Sequence, residues 1–297
     1  MSKKSKLSAP YFYLLLIIPI IAAGYLFRIY DLKTQQKQTL VFSATITQSA
    51  SSLIHTIQIE RGLSAGYLAS KKTDNKEKLI KQQKITDRFY NDFASLITNT
   101  QKQKNFDKLI QDKKIIFEIT QEMDKIKTIR NKVLSHQINF KDEINYYSDI
   151  NEKLLKVIHN FAIFNAKSNY EGILIYDIES LKENLGLERA YIYNQLLSTN
   201  KQNAKLDKIK KLITTQEVIR KNFFQDATPQ IKEFYTNFID EESLKEIQHF
   251  RDDFLSHKLS SSDAKKWFSL STNFIDRHEA LSINILDLYL KNIIFFK

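Results

Sequence analysis

Chain breakers are nearly absent from this sequence: five glycines and three prolines serve all 297 residues. A β-rich fold needs such residues at every turn, whereas long helices joined by short polar loops need almost none. The breaks that do occur are polar, at 71–75, 99–105, 168–172, 200–203 and 260–262. Between them apolar side chains recur at helical spacing, as at Phe140, Ile144, Tyr147, Ile150 and Leu154. The expected class is therefore all-α, with helices over 32–71, 76–100, about 105–136 and 139–167. Further helices are expected over 179–197 and 206–224, from Pro229 after Asp226 or Thr228, from Glu241 and Glu242, and over 263–293. Four helices by residue 167 suffice for one up-and-down bundle. A first bundle over about 32–167 and a second over about 168–297 are expected.

Hydrophobic residues at 42% and charged residues at 27% suit amphipathic helices around a core and argue against disorder. No Cys is present, which excludes disulfides, thiolate metal sites and a cysteine nucleophile. The formal charge of +11 favours anionic partners. That excess is scattered, with only short pairs such as Lys71-Lys72 and Lys210-Lys211 and no nucleic-acid motif, so no nucleic-acid partner is expected. The six histidines form no metal-spaced pair, and no phosphate-cradling glycine loop or nucleophile elbow occurs. Neither a metal, a cofactor nor an enzymatic activity is expected.

Residues 7–27 carry no charged side chain. Twenty-one helical residues reach about 30 Å, the thickness of a bilayer's hydrocarbon core. Lys3, Lys4 and Lys6 precede the stretch, and Tyr11, Tyr13, Tyr25 and Tyr30 bracket it as interfacial aromatics would. Residues 1–31 are thus expected to be a short cytoplasmic tail and a transmembrane anchor, the alternative being a cleaved signal peptide, for which Ala22-Ala23-Gly24 is an imperfect cleavage site with bulky Tyr25 following. The remainder, 32–297, would lie outside the cytoplasmic membrane, in the periplasm.

Residues 55–68 place two glycines inside a long amphipathic helix. Gly62 and Gly66 each cost a helix interior about 1 kcal/mol relative to alanine. They lie four apart, beside Ala65 and Ala69, and so let a neighbouring backbone come close. Arg61 and Ser64 share one edge of that thin face. A guanidinium is a planar, permanently charged fork suited to planar oxyanions. The stretch reads as half of a small-anion site, or alternatively as a packing helix whose arginine pairs with Glu60 or a distant carboxylate. At an offset of 128 residues Glu60, Arg61, Leu68 and Ile85-Thr86 recur as Glu188, Arg189, Leu196 and Ile213-Thr214. Two arginines facing one cleft would repel when it is empty, and a bound anion would relieve them. Glu60 and Glu188 are expected to orient or neutralise an arginine across the bundle. His55 is expected to be a satisfied core histidine rather than a wall of the site.

The run His55-x-x-Gln58-x-Glu60-Arg61-Gly62-x-Ser64-Ala65-Gly66-Tyr67-Leu68, followed by Gln83 and Thr86-Asp87, resembles the first signature of the nitrate- and nitrite-sensing (NIT) domain family. The run 186–190, Gly-Leu-Glu-Arg-Ala, is similar to a second signature, and Trp267 with Thr272 and Ile275-Asp276 is a weaker third likeness. The resemblance covers about 40–290. It implies an all-helical sensor of two bundles whose signature arginines, here Arg61 and Arg189, hold nitrate or nitrite between helices. Ser64 would be a third donor, with Gly62 and Gly66 giving access. No output module lies within these residues: a whole chain would signal through a separate protein, a fragment would continue into a second span and an output module, and the sequence does not choose between them; a homodimer suits a membrane sensor. The other reading is a helical scaffold or partner-binding module of the same fold without an anion ligand.

Overall fold

The computed structural model describes residues 9–70, 73–101, 113–166, 171–198 and 203–295. These form nine α-helices and one short 3₁₀ turn, with no strand among the described residues. In chain order they are α1 (Ala9–Ser70), α2 (Thr73–Gln101), α3 (Lys113–Leu134), α4 (Phe140–Ala166), α5 (Glu171–Leu197), α6 (Asn203–Asp226), α7 (Pro229–Phe238), α8 (Glu241–Leu255) and α9 (Ala264–Phe295). Local chemistry sets several starts. Thr228 caps α7, accepting from the Ile231 amide just ahead of Pro229, and Asp240 caps α8 by accepting from the Ser243 amide. Ser260 and Asp263 make a reciprocal capping box on the 3₁₀ turn that feeds α9. The expected start of the third helix near 105 falls outside the described residues.

α1 packs against α2, α4, α5 and α9, while α5 packs against α1, α4, α6 and α9. These two helices are therefore central. From Thr56 to Tyr67 every residue of α1 except Ile59 is buried, so this part is enclosed on all sides rather than amphipathic as expected. Its small residues make that enclosure physically accessible: a Cβ on Gly66 would stand 1.9 Å from Cε1 of Tyr193 on α5. Gly66 is thus explained by ring-to-backbone contact. The largest core cluster runs through all nine helices without a break, from Ala44 on α1 to Tyr289 on α9.

The stretch 7–27, expected to be a membrane helix, lies from residue 9 onward in the N-terminal part of α1. Among the described residues no helix is long and apolar enough to cross a membrane. Residues 7–8 and the side chains of residues 9–18 lie outside the described residues. What is described is a run of apolar side chains on the N-terminal part of α1 that stand more than half exposed: Ile20, Ile21, Tyr25, Leu26, Phe27, Tyr30 and Leu32.

Candidate functional site

Arg61 and Arg189 meet where α1 and α5 touch, both with no solvent exposure. Glycines make this crossing. A Cβ on Gly62 would lie 3.1 Å from the Phe268 ring and 3.3 Å from Nε of Arg189. A Cβ on Gly186 would lie 3.0 Å from a terminal nitrogen of Arg61. Each arginine therefore runs past a glycine of the opposite helix, and alanine at either place would crowd it.

The two guanidinium groups are held differently. Arg61 grips Glu183 of α5 with both terminal nitrogens, at 2.5 and 3.2 Å, and donates to Ser148 Oγ of α4 at 2.9 Å. Arg189 donates to Thr272 Oγ1 of α9 at 2.9 Å and to the Gln58 carbonyl at 2.8 Å, and stacks over Phe268. It makes no ion pair among the described residues. Burial, reinforced by the Arg61 charge, pulls the Arg189 guanidinium down to about 9. Nε of both arginines is buried without a hydrogen-bond partner. The arrangement has an approximate symmetry: six residues before Arg189 stands Glu183, and six before Arg61 stands His55. Where one arginine finds a carboxylate, the other has an imidazole in the equivalent register.

His55 departs from the expectation of a satisfied core histidine. Its Nδ1 is buried without a partner, and Nε2 lies 3.5 Å from Asp276. Burial, with the Lys182 and Arg189 charges, pulls the imidazole down to about 3, so at neutral pH it offsets no charge. Ser64 is fully buried and neighbours the Tyr147 phenol of α4, while Arg189 is contacted by Gln58 of α1 and Thr272 and Phe268 of α9. Glu143 of α4 is also fully buried with both carboxyl oxygens unpartnered, and burial holds its pKa well above the ordinary carboxylate range.

Outside this pair, each signature glutamate is clamped by an arginine from its own half of the chain. Glu60 accepts from Nε and a terminal nitrogen of Arg130 at 2.8 and 2.9 Å, and from the Tyr147 hydroxyl at 2.8 Å. Glu188 accepts from Arg251 at 2.7 and 2.6 Å and from Gln216 at 2.8 Å. The glutamates thus neutralise arginines across the bundle, and those arginines are Arg130 and Arg251. A sequence signal for them exists: residues 130–136 and 251–257 both read Arg-x-x-x-Leu-Ser-His. His136 and His257 close their helices at positive φ, 55° and 57°. Glu183, Asn151 and Ser148, by contrast, carry no comparable mark.

The late residues also converge here. Trp267 Nε1 donates to the Arg189 carbonyl at 3.1 Å and its ring stacks on Phe250, fixing the segment of α5 that carries Arg189. A second buried charged cluster joins the same helices, in which Lys182 contacts both Glu179 and Glu279. A cavity of about 320 Å³, lined by Arg220, Tyr235, Lys245 and His278 among others, lies in the second half of the chain and does not reach Arg61 or Arg189.

Two buried arginines, each lying against a glycine of the opposite central helix, thus mark the crossing of α1 and α5 in this all-α protein. The sequence model described as "nitrate and nitrite sensing" matches residues 52–288, and the chain belongs to that NIT family. No curated protein matches it in sequence. Among solved structures it is similar to the NasR transcription antiterminator, with a TM-score of 0.77 and 16% sequence identity, over 93% of this chain and 75% of that one. At that identity the likeness shows a shared fold.

Proposed function

We propose that this chain is a non-enzymatic sensor of nitrate or nitrite, with the anion bridging Arg61 on α1 and Arg189 on α5. The observation that carries the reading is Arg189, a buried guanidinium paired with no carboxylate among the described residues, facing a second guanidinium across a glycine-thinned contact. One bound monoanion would relieve both its desolvation and its repulsion from Arg61. Family membership supports a nitrate or nitrite ligand, and the buried crossing supports arginine as its holder. Ser64, whose hydroxyl lies among the unpartnered buried groups, is our candidate third donor. Gly62 serves the site by letting Arg189 lie against α1.

Binding would rearrange the contact between α1 and α5, and with it the halves 32–167 and 168–297, which we read as two bundles. A ligand biases such a motion only through its differential affinity for the two arrangements. α1 spans 62 residues, about 90 Å of continuous helix, and would carry the shift toward its N-terminal end. The uncharged stretch 7–27 and the exposed apolar run from Ile20 to Leu32 support an anchor in the cytoplasmic membrane, with the sensor on its outer side. We assign no nucleic-acid partner, because the lysines are scattered along the chain, although the structural neighbour is a transcription antiterminator.

The deciding experiment is thermal unfolding of the full chain in sodium nitrate, nitrite, chloride and sulfate at equal ionic strength. A ligand at about 100 times its dissociation constant stabilises by about 2.7 kcal/mol, a shift of a few degrees. The expected result is a rise with nitrate or nitrite alone. Equal responses to all four salts would replace this reading with the scaffold. For the anchor, membranes washed at alkaline pH should retain the protein, and its release into the wash would refute a spanning helix.

A further inference from the structure

The space beside Arg61 that an oxyanion would need is already filled. Glu183 places its carboxylate against both terminal nitrogens of Arg61 and accepts further hydrogen bonds from Gln58 Nε2 at 3.0 Å and Asn151 Nδ2 at 2.9 Å. Four donors from α1 and α4 thus converge on one planar, Y-shaped monoanion that happens to be covalently attached to α5. A carboxylate, a nitrite and a nitrate share that planarity, that charge and an oxygen pair able to accept from a guanidinium fork. We propose that Glu183 is a tethered competitor: a built-in stand-in for the anion that must leave the Arg61 fork before an external oxyanion can bridge Arg61 and Arg189.

Three further observations support the exchange. First, the Glu183 side chain keeps 10% of its surface in contact with solvent while Arg61 keeps none, so the carboxylate has a way out to water and the arginine does not. Second, the donors it would release remain in place, because Arg61 is also tied to Ser148 Oγ and Gln58 and Asn151 sit on α1 and α4 rather than on α5. Third, the equivalent register beside Arg189 holds His55, whose imidazole is neutral at physiological pH, so one half of the site is plugged by a carboxylate and the other is not.

The consequence is a threshold and a selectivity. An anion sees only the fraction of molecules in which Glu183 has let go, and its apparent dissociation constant is raised by the inverse of that fraction. Donors arranged for a planar carboxylate favour planar monoanions over spherical chloride or tetrahedral sulfate. Exchange also separates the helices' two bonded states: Arg61 bound to α5 through Glu183, or bound to Arg189 of α5 through the anion. This inference rests on the anion site proposed above.

The test is calorimetric titration of the full chain with nitrate and with nitrite, for the wild type, Glu183→Gln and Glu183→Asp. Glutamine removes the charge and aspartate keeps it while shortening the reach to the fork. A tethered competitor predicts that both variants bind more tightly, by about tenfold or more. Tighter binding in the glutamine variant alone would reduce Glu183 to a source of negative potential and overturn the inference. So would weaker binding in both beside a normal wild-type response, since Glu183 would then be holding Arg61 in position for the ligand. Absence of binding in all three proteins would overturn the anion site itself and this inference with it.

Discussion

Replacing Arg61 by methionine should lower stability by about 3–5 kcal/mol, whereas the same replacement of Arg189 should change it by no more than about 1 kcal/mol. The two residues are equally buried and occupy matching places in the sequence, so the difference comes entirely from their partners. Removing Arg61 leaves Glu183, fastened only by Gln58 and Asn151, as an uncompensated charge in the interface between α1 and α5. Removing Arg189 also removes a desolvated cation that faces Arg61 without a carboxylate of its own. The loss of its hydrogen bonds to Thr272 and the Gln58 carbonyl opposes that relief, at about 1–3 kcal/mol for buried partners left unpaired. Stabilisation by nitrate or nitrite should vanish in both variants. Denaturant unfolding with and without the anion measures both quantities. A destabilisation of Arg189→Met as large as that of Arg61→Met would show that Arg189 is balanced in the folded protein, and the argument for an external anion would fail.

The second large effect is expected at the glutamate clamps. Arg130→Met should cost about 3–5 kcal/mol, because Glu60, without exposure, keeps only the Tyr147 hydroxyl. Arg251→Met should behave alike, leaving Glu188 with Gln216. Pairing Arg130→Met with Glu60→Gln should recover most of the loss, since a buried ion pair exchanged as a unit is often neutral while half of one is not. A double-mutant cycle on unfolding free energies checks this; additivity of the two single losses would mean that the pair does not act as a unit. Both changes leave the Arg61 and Arg189 contacts untouched, so relative responses to nitrate and chloride should persist.

Several features are legible in the sequence because they depend on neighbours along the chain. Helix after helix follows from apolar spacing and from the rarity of glycine and proline, and Thr228 before Pro229 and Ser260 with Asp263 mark starts through bonds spanning three residues. The costly glycines also announced a close approach, since nothing local repays Gly62 or Gly66 in a helix interior. Even the arginines that clamp Glu60 and Glu188 were visible in principle, through the repeated Arg-x-x-x-Leu-Ser-His ending of α3 and α8.

The chain alone thus determined an all-α protein with two signature arginines in corresponding places. Only the tertiary structure decided how those arginines differ. Helical periodicity orders residues about one axis, and it holds no information on which side chain of another helix arrives opposite. Glu183 is one of many charged residues in the sequence, yet the crossing of α1 and α5 delivers it to Arg61, while the matching register delivers neutral His55 toward Arg189. The enclosure of residues 56–67 had the same origin, because small side chains permit close packing without naming the partner. Charge balance inside a protein is a sum over neighbours in space, and that sum exists only once the helices have packed.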